Sequence, residues 1–386
     1  MTRYIVLQTN SQPSGVAVGV RNAAAPSSDL RLLVEAFPPA AVADIRRDPT
    51  VRAVAPVMPT RLIAPLAASS SAAGDSWGLA AIGADATRYS GEGATVAVLD
   101  TGIDRRHPAF QGVELIERDF TGHGDGDVHG HGTHCAGTIF GRDVEGRRIG
   151  VARGVGRALV GKVLGDDGKG GSDMVFDALH WAMGAGAQVV SMSLGFDFPG
   201  MVNRLVADGW PIDLATSVAL EAYRENLRMF DALMAIIKAN APFGASPVVI
   251  AAAGNESRRD QRPDHRIAAS LPAAAADVVS VGAFGPGAGG YDIATFSNSQ
   301  PVLVAPGVDI VSAEPGGGLV AMSGTSMAGP HAAGVAALWL QSLLAGPTRP
   351  TGKMIAARLI STTRTDGFVA GVDGADLGQG RLLAPV

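Results

Sequence analysis

Four glycine-rich segments of this chain carry the residue types that acyl-transfer chemistry requires. In Gly324-Thr325-Ser326-Met327-Ala328-Gly329-Pro330-His331 a small turn presents Ser326 at the start of an apolar run. A serine there has its own N–H at a helix N-terminus, where partial positive charge favours an oxyanion. Serine is also a common helix cap. It becomes a nucleophile only in the company of a base, an orienting group and an oxyanion donor. His131, in His131-Gly132-Thr133-His134-Cys135-Ala136-Gly137, opens a small-residue segment and is the candidate base. Asp100, in Asp100-Thr101-Gly102-Ile103-Asp104, ends an apolar run and is the candidate orienter. Asn255, after Ala252-Ala253-Gly254, ends another run and offers its side-chain N–H groups to a developing oxyanion. Ser193-Leu194-Gly195 ends a third and offers backbone to an extended peptide, which would add one strand. Turn aspartates and Gly-Asn pairs are common singly. Asp, His, Asn and Ser together, in that order, are not.

Two rival chemistries compete for the same residues. His129, His131 and His134, with Asp125 and Asp127 nearby, resemble a metal-ligand cluster. However, the helical zinc signature His-Glu-x-x-His is absent, and a glycine separates His129 from His131 in a loop. No metal ligand is therefore assigned. Cys135 could be a thiol nucleophile, but Ser326 makes that unnecessary, and a buried inert residue is expected.

These residues must be held by a scaffold. Ala94 to Leu99, Val189 to Leu194 and Val248 to Ala253 are nearly continuous apolar runs, which suits strands of a parallel sheet covered on both faces. Helical segments alternate with them, at Ser172 to Ala185 and Ser326 to Leu344. The fold class is therefore α/β, with ligands expected at the carboxyl ends of the strands. Leu220, Tyr223, Leu227, Phe230, Leu233 and Ile237 recur at helical spacing, marking an amphipathic helix in a segment at about 197–246. Its stripe is expected to pack on the domain rather than form a partner surface or cleft wall. Residues 1–66 are expected to form a small α+β unit. Its strands are expected at Tyr4 to Gln8 and Val51 to Val57, and its helix at Ala40 to Arg47. Leu30 to Phe37 is a strand or helix. Residues 67–76 are a small-residue linker and a plausible nicking site.

Composition narrows the function classes. With 386 residues, 47% apolar and 17% charged, the chain can bury a large core. A net charge of −5 without a basic run gives nucleic-acid binding no support. No uninterrupted apolar run of membrane-spanning length occurs. The single cysteine excludes an internal disulfide. The start lacks a signal-peptide pattern, so the chain is expected either to be intracellular or to be numbered after leader removal.

On the four catalytic-type motifs, from about Trp77 to the end and apart from the segment between Gly195 and Pro247, the chain resembles the subtilisin-like serine proteases (subtilases). The order Asp, His, Ser is that of subtilisin. Cys135 adds some likeness to the branch that includes proteinase K, in which a thiol lies beneath the histidine. The resemblance implies a subtilisin-like three-layer fold with a mostly parallel central sheet at 77–386, bearing a helical insertion. It implies Asp100, His131 and Ser326 as a catalytic triad and Asn255 as oxyanion donor. Ser193, Leu194 and Gly195 would bind substrate backbone, and Ala252, Ala253 and Gly254 would line the pocket for the residue before the cut, with Glu256 at its rim. Leu271-Pro272 resembles a family position with a cis peptide bond. Residues 1–66, through Ala43 to Val54, resemble a ferredoxin-like prodomain that acts as intramolecular inhibitor and folding aid.

The expected activity is a self-processing serine endopeptidase acting on polypeptide, without nucleic acid, membrane or required cofactor. An occluded scaffold that only binds, or a processing peptidase dedicated to one partner, are the alternatives. Calcium has no supported site: the loop Gly141 to Gly150 carries three arginines. Asp119, Asp125 and Asp127 are expected to be solvated turn carboxylates.

Overall fold

The computed structural model describes residues 1–9, 30–67, 76–241 and 246–386; most of the expected linker lies outside these. Three strands near the N-terminus, β1 (Thr2–Thr9), β2 (Leu30–Phe37) and β3 (Val51–Pro56), form an antiparallel sheet in the order β2-β1-β3. A short helix, α1 (Val42–Ile45), precedes β3. Period-two alternation gives β1 two different faces. Tyr4 and Val6 pack with Phe37, Val42 and Ile45, while Ile5 and Leu7 join a core shared with the rest of the molecule. The Leu30 to Phe37 run resolves as strand.

The chain then crosses the molecule in two short strands, β4 (Pro59–Leu62) and β5 (Leu66–Ala67), and α2 (Trp77–Ala81) follows. The central sheet has eight strands among the described residues. Its parallel members are β6 (Thr95–Asp100), β7 (Glu114–Asp119), β8 (Arg157–Lys162), β10 (Val189–Met192), β12 (Val248–Ala252), β13 (Val278–Gly287) and β15 (Leu303–Pro306). The hairpin strand β14 (Gly290–Ile293) is antiparallel to β13. Short strands β9 (Lys169–Gly171) and β11 (Leu194–Phe196), and the hairpin β16 (Ile310–Glu314) and β17 (Gly318–Ser323), lie outside that sheet.

The apolar runs are buried on both faces. Val96, Val98, Val248 and Ile250 face one core, and Ala97, Leu99, Val249 and Ala251 the other. The first core is closed by α3 (His131–Phe140) and α7 (Thr325–Leu344), the second by α4 (Ser172–Gly184) and α6 (Ile212–Asn240). Three layers follow, as expected from strands apolar on both sides. Helix α7 is buried on nearly all sides, so its composition is apolar throughout rather than striped. Between β11 and β12 lie α5 (Phe198–Ala207) and the 29-residue α6. The α6 stripe packs as expected through Phe230, Leu233 and Ile237, but Leu220 is exposed. No described helix is long and apolar enough to cross a membrane.

Candidate active site

Asp100 ends β6 and His131 begins α3, and both side chains are almost fully buried. Their approach depends on two glycines. A Cβ on Gly132 would sit 2.2 Å from the Gly102 carbonyl oxygen, and one on Gly102 would sit 2.1 Å from that of Gly126. With both absent, His131 Nδ1 donates to Asp100 Oδ1 at 2.7 Å, which fixes the tautomer and leaves Nε2 for chemistry. Nε2 is buried and has no hydrogen-bond partner among the described residues. Burial opposes protonation of His131, but the Asp100 carboxylate overrides it and raises the imidazole well above its ordinary value.

Cys135 Sγ lies 3.8 Å from His131 Nδ1 and donates to the Ser326 carbonyl at 3.4 Å, beneath the ring as expected. Asp100, His131 and Cys135 are also close enough together to be read as a metal-ligand group. Burial raises the Cys135 thiol, which keeps it protonated, and a protonated thiol is a poor ligand. His129 stands edge-on to the His131 ring, with centroids 6.4 Å apart. His134 is buried against the Ile310 carbonyl at 3.0 Å, and desolvation lowers it to about 3.

Asp127 corrects the sequence reading. It is buried, not solvated, and its carboxylate accepts from Thr101 Oγ1, Gly130 N, Thr133 N and Thr133 Oγ1 at 2.7–2.8 Å. It thereby ties the turn after Asp100 to the first turn of α3 and holds the two catalytic-type groups in register. The signal was its place four residues before His131, with Thr101 and Thr133 flanking Asp100 and His131. Asp119 caps its own turn through Thr121 and Gly124, and Asp125 is exposed. In the arginine-bearing loop, Asp143 is paired with Arg153 at 2.9 Å.

Ser326 lies in the first turn of α7, whose N–H groups have no partner within the helix. Asn255 stands beside it. Its Oδ1 accepts from both Thr325 N and Thr325 Oγ1 at 2.8 Å, so its Nδ2 must face the cleft. Thr325, which the sequence reading passed over, therefore aims the amide. Asn298 is a second residue missed. It is buried, and its Oδ1 accepts from Glu256 N, Ser257 N and Ser257 Oγ, while its Nδ2 donates to the Ala253 carbonyl and Glu256 Oε2. Only a glycine fits at 254, where φ is +115° and a Cβ would lie 2.2 Å from Asn298 Nδ2. The Leu271–Pro272 bond is cis.

The cleft holds the protein's own chain. Strand β4 is the middle of an antiparallel trio with β11 and β9, pairing Leu62 with Leu194 and Arg61 with both Gly195 and Lys169. Leu62 N also donates to the Gly168 carbonyl at 2.8 Å. Ser326 Oγ donates to the Ile63 carbonyl at 3.0 Å, and Asn255 Nδ2 to the Ala64 carbonyl at 3.0 Å. Beyond, Leu66 pairs with Ser323. A Cβ on Gly195 would lie 3.6 Å from Ile63 Cγ1, so the Ile63 side chain sits over Gly195. Ala252 and Ala253 are buried behind the Asn255 turn, and Ser193 Oγ donates to the Ser326 carbonyl at 3.3 Å. Glu256, expected beside the residue before the cut, engages Arg61.

Comparison with known proteins identifies the family. The family model described as the subtilase family, Peptidase_S8, matches residues 91–380. A subtilisin-like protease 1 of Trichophyton rubrum is 33% identical over 314 residues, covering 77% of this chain and 52% of that protein. An intracellular serine protease of Paenibacillus polymyxa is 35% identical over 254 residues, covering 64% of this chain and 67% of that protein. The match spans about half the length of the Trichophyton rubrum and Trichophyton tonsurans relatives. With three layers, a mostly parallel sheet and a family match over most of its length, this chain belongs to the subtilase family.

Proposed function

We propose that the chain is a serine endopeptidase whose triad is Asp100, His131 and Ser326. In this reading Ser326 Oγ attacks the scissile carbonyl carbon while His131 Nε2 takes its proton. Asp100 holds the ring and stabilises the imidazolium. The oxyanion is received by Asn255 Nδ2 and Ser326 N–H. Collapse expels the amine, protonated by His131, and water then attacks the acyl-enzyme by the same route. Every proton and bond in this sequence is handled by the chain's own residues, so no cofactor is required. Ser193, Leu194 and Gly195 bind the backbone of the substrate, and Ala252, Ala253 and Gly254 bound the pocket before the cut.

The observation that carries this reading is the self-bound strand. An extended polypeptide lies antiparallel to β11 with one carbonyl on Ser326 Oγ and the next on Asn255 Nδ2. Such a path is what a peptide substrate needs. We also propose that residues 1–66 are an inhibitory N-terminal unit, 67–76 a linker and 77–386 the peptidase, with α5 and α6 inserted at about 197–246. In the closed state Asn255 Nδ2 donates to the Ala64 carbonyl, one residue beyond Ile63, and Ser326 Oγ donates to the Ile63 carbonyl rather than to His131 Nε2. Attack requires the Ile63 carbonyl to swing onto Asn255 and the Ser326 hydroxyl onto Nε2, so self-cleavage near Ile63–Ala64 is slow in this form. The test is hydrolysis of an unfolded protein substrate by the wild type and by Ser326→Ala. Turnover in the wild type alone supports the reading; equal turnover in both, or none in either after cleavage within 64–76, contradicts it.

A further inference from the structure

We infer that Asp197 and Glu256 form an anionic subsite that selects a cationic side chain two residues before the residue whose carbonyl Ser326 attacks. The inference rests on the peptidase reading above and names its substrate class. Arg61 occupies this subsite in the self-bound strand. Its Nη1 lies 3.4 Å from Asp197 Oδ1 and its Nη2 3.6 Å from Glu256 Oε1.

Both carboxylates are built into place before any ligand arrives. Asp197 caps α5 by accepting from Gly200 N at 3.0 Å, a contact made without the bound strand. Glu256 Oε2 is held by Asn298 Nδ2 at 2.8 Å, which leaves Oε1 for the guanidinium.

An arginine at this position otherwise faces a cost. Arg61 lies directly across from Lys169 in the β4–β9 pair, and like charges directly opposite one another repel. Lys169 is drawn to Asp167, with Nζ 3.5 Å from Oδ2, and Asp197 and Glu256 supply the opposite charge that Arg61 needs. The strand passing through is held by backbone pairing, which any sequence provides, and by the buried Leu62 and Ile63 side chains. The two carboxylates therefore add selection by side chain at this one position. The pair is partly exposed, so its effect is modest and weakened by salt: roughly fivefold at low ionic strength.

The test uses the full chain in two arms. In the first, hydrogen exchange of the segment around Leu62 is measured in Ser326→Ala protein, alone and with Arg61→Gln, with Asp197→Asn plus Glu256→Gln, and with all combined. Exchange is expected to quicken about fivefold in either variant set, with little further change on combination. Unchanged or simply additive effects overturn the subsite. In the second, quenched peptides carrying Arg, Gln or Glu at that position are compared in the wild type, each as a ratio to the Gln peptide. Arg is expected above Gln and Gln above Glu, with the spread collapsing in Asp197→Asn plus Glu256→Gln and in high salt. A flat series overturns the selectivity. Fluorophosphonate labelling at Ser326 reports the peptidase reading separately, and the exchange arm decides the Arg61 subsite even where no peptide is cut.

Discussion

The N-terminal part of the chain holds the rest of the molecule in two places, by two kinds of force. The sheet β1–β3 docks on α4 and α6 through side chains. Ile5, Leu7, Ala55 and Met58 share a core with Phe176 and Phe230, and around it Arg46 pairs with Glu225 at 2.8 Å and Asn226 Nδ2 donates to the Pro56 carbonyl at 2.9 Å. The strand β4–β5 in the cleft is held mainly by backbone, through ladders with β11, β9 and β17. The first contact is specific to this partner surface and buries apolar area. The second rests on backbone ladders, with Leu62 and Ile63 buried between them. Under the proposed reading, a cleft that accepts many chains binds backbone, and tight retention of one chain is expected to come from the docked sheet.

Mutations should separate the two places. Ser326→Ala is expected to lower peptide hydrolysis by ~10⁴-fold or more, a magnitude borrowed from subtilisin of the same family, while leaving the strand in the cleft and the exchange protection of β4 intact. Loss of that protection in Ser326→Ala would mean that the serine hydroxyl, not the ladder, retains the strand. Leu7→Ala acts at the other place. Leu7 is fully buried in the shared core, and its truncation is expected to cost about 2–4 kcal/mol of docking. It should raise the rate of fluorophosphonate labelling by about one and a half to three orders of magnitude without touching the cleft. Asp127→Ala leaves the Gly130 and Thr133 amides without their buried acceptor, at about 1–3 kcal/mol. It should lower kcat at least about tenfold with little change in KM, because it loosens His131 relative to Asp100 and not the backbone ladder.

The smallest expected effect is of pH on stability, measured as the urea midpoint of Ser326→Ala protein. Desolvation lowers buried His134 to about 3 and buried His331 to about 4. Their stabilising contribution is full above the ordinary histidine value and is lost as pH falls through that window, because the unfolded chain binds protons that the folded one refuses. His131 has the opposite sign. Its raised value contributes stability that is full below the ordinary range and is lost as pH rises through the folded value. For these three groups the midpoint should therefore peak near the ordinary histidine value of about 6.5. A midpoint that rises steadily on acidification would contradict buried neutral His134 and His331.

The sequence made the layered fold legible because runs apolar on both faces, such as Thr95–Asp100 and Val248–Ala252, have few other homes. The positions of Asp100, His131, Asn255 and Ser326 were legible for a related reason: each ends an apolar strand or opens a small-residue helix. What escaped was the support. The place of Asp127 four residues before His131 hints at a role but not at the four donors that folding gathers round it, and Thr325 and Asn298 carry no periodic signal. The docking role of α6 was hidden too. Its stripe announces packing, but Asn226, buried on that face, and its neighbour Glu225 are polar, and their meeting with the Pro56 carbonyl and Arg46 matters only once residues 1–9 and 30–67 are folded against it. The self-bound strand was the least visible, since backbone pairing leaves almost no trace in side-chain pattern.

The most direct measurement is the rate at which a fluorophosphonate probe adds to Ser326, followed by intact mass and peptide mapping, in the full chain and after cleavage between residues 64 and 76. The account predicts a single adduct on Ser326, slow in the full chain and much faster once the strand can leave the cleft. No adduct in either form, an adduct elsewhere, or equal rates in both would contradict it.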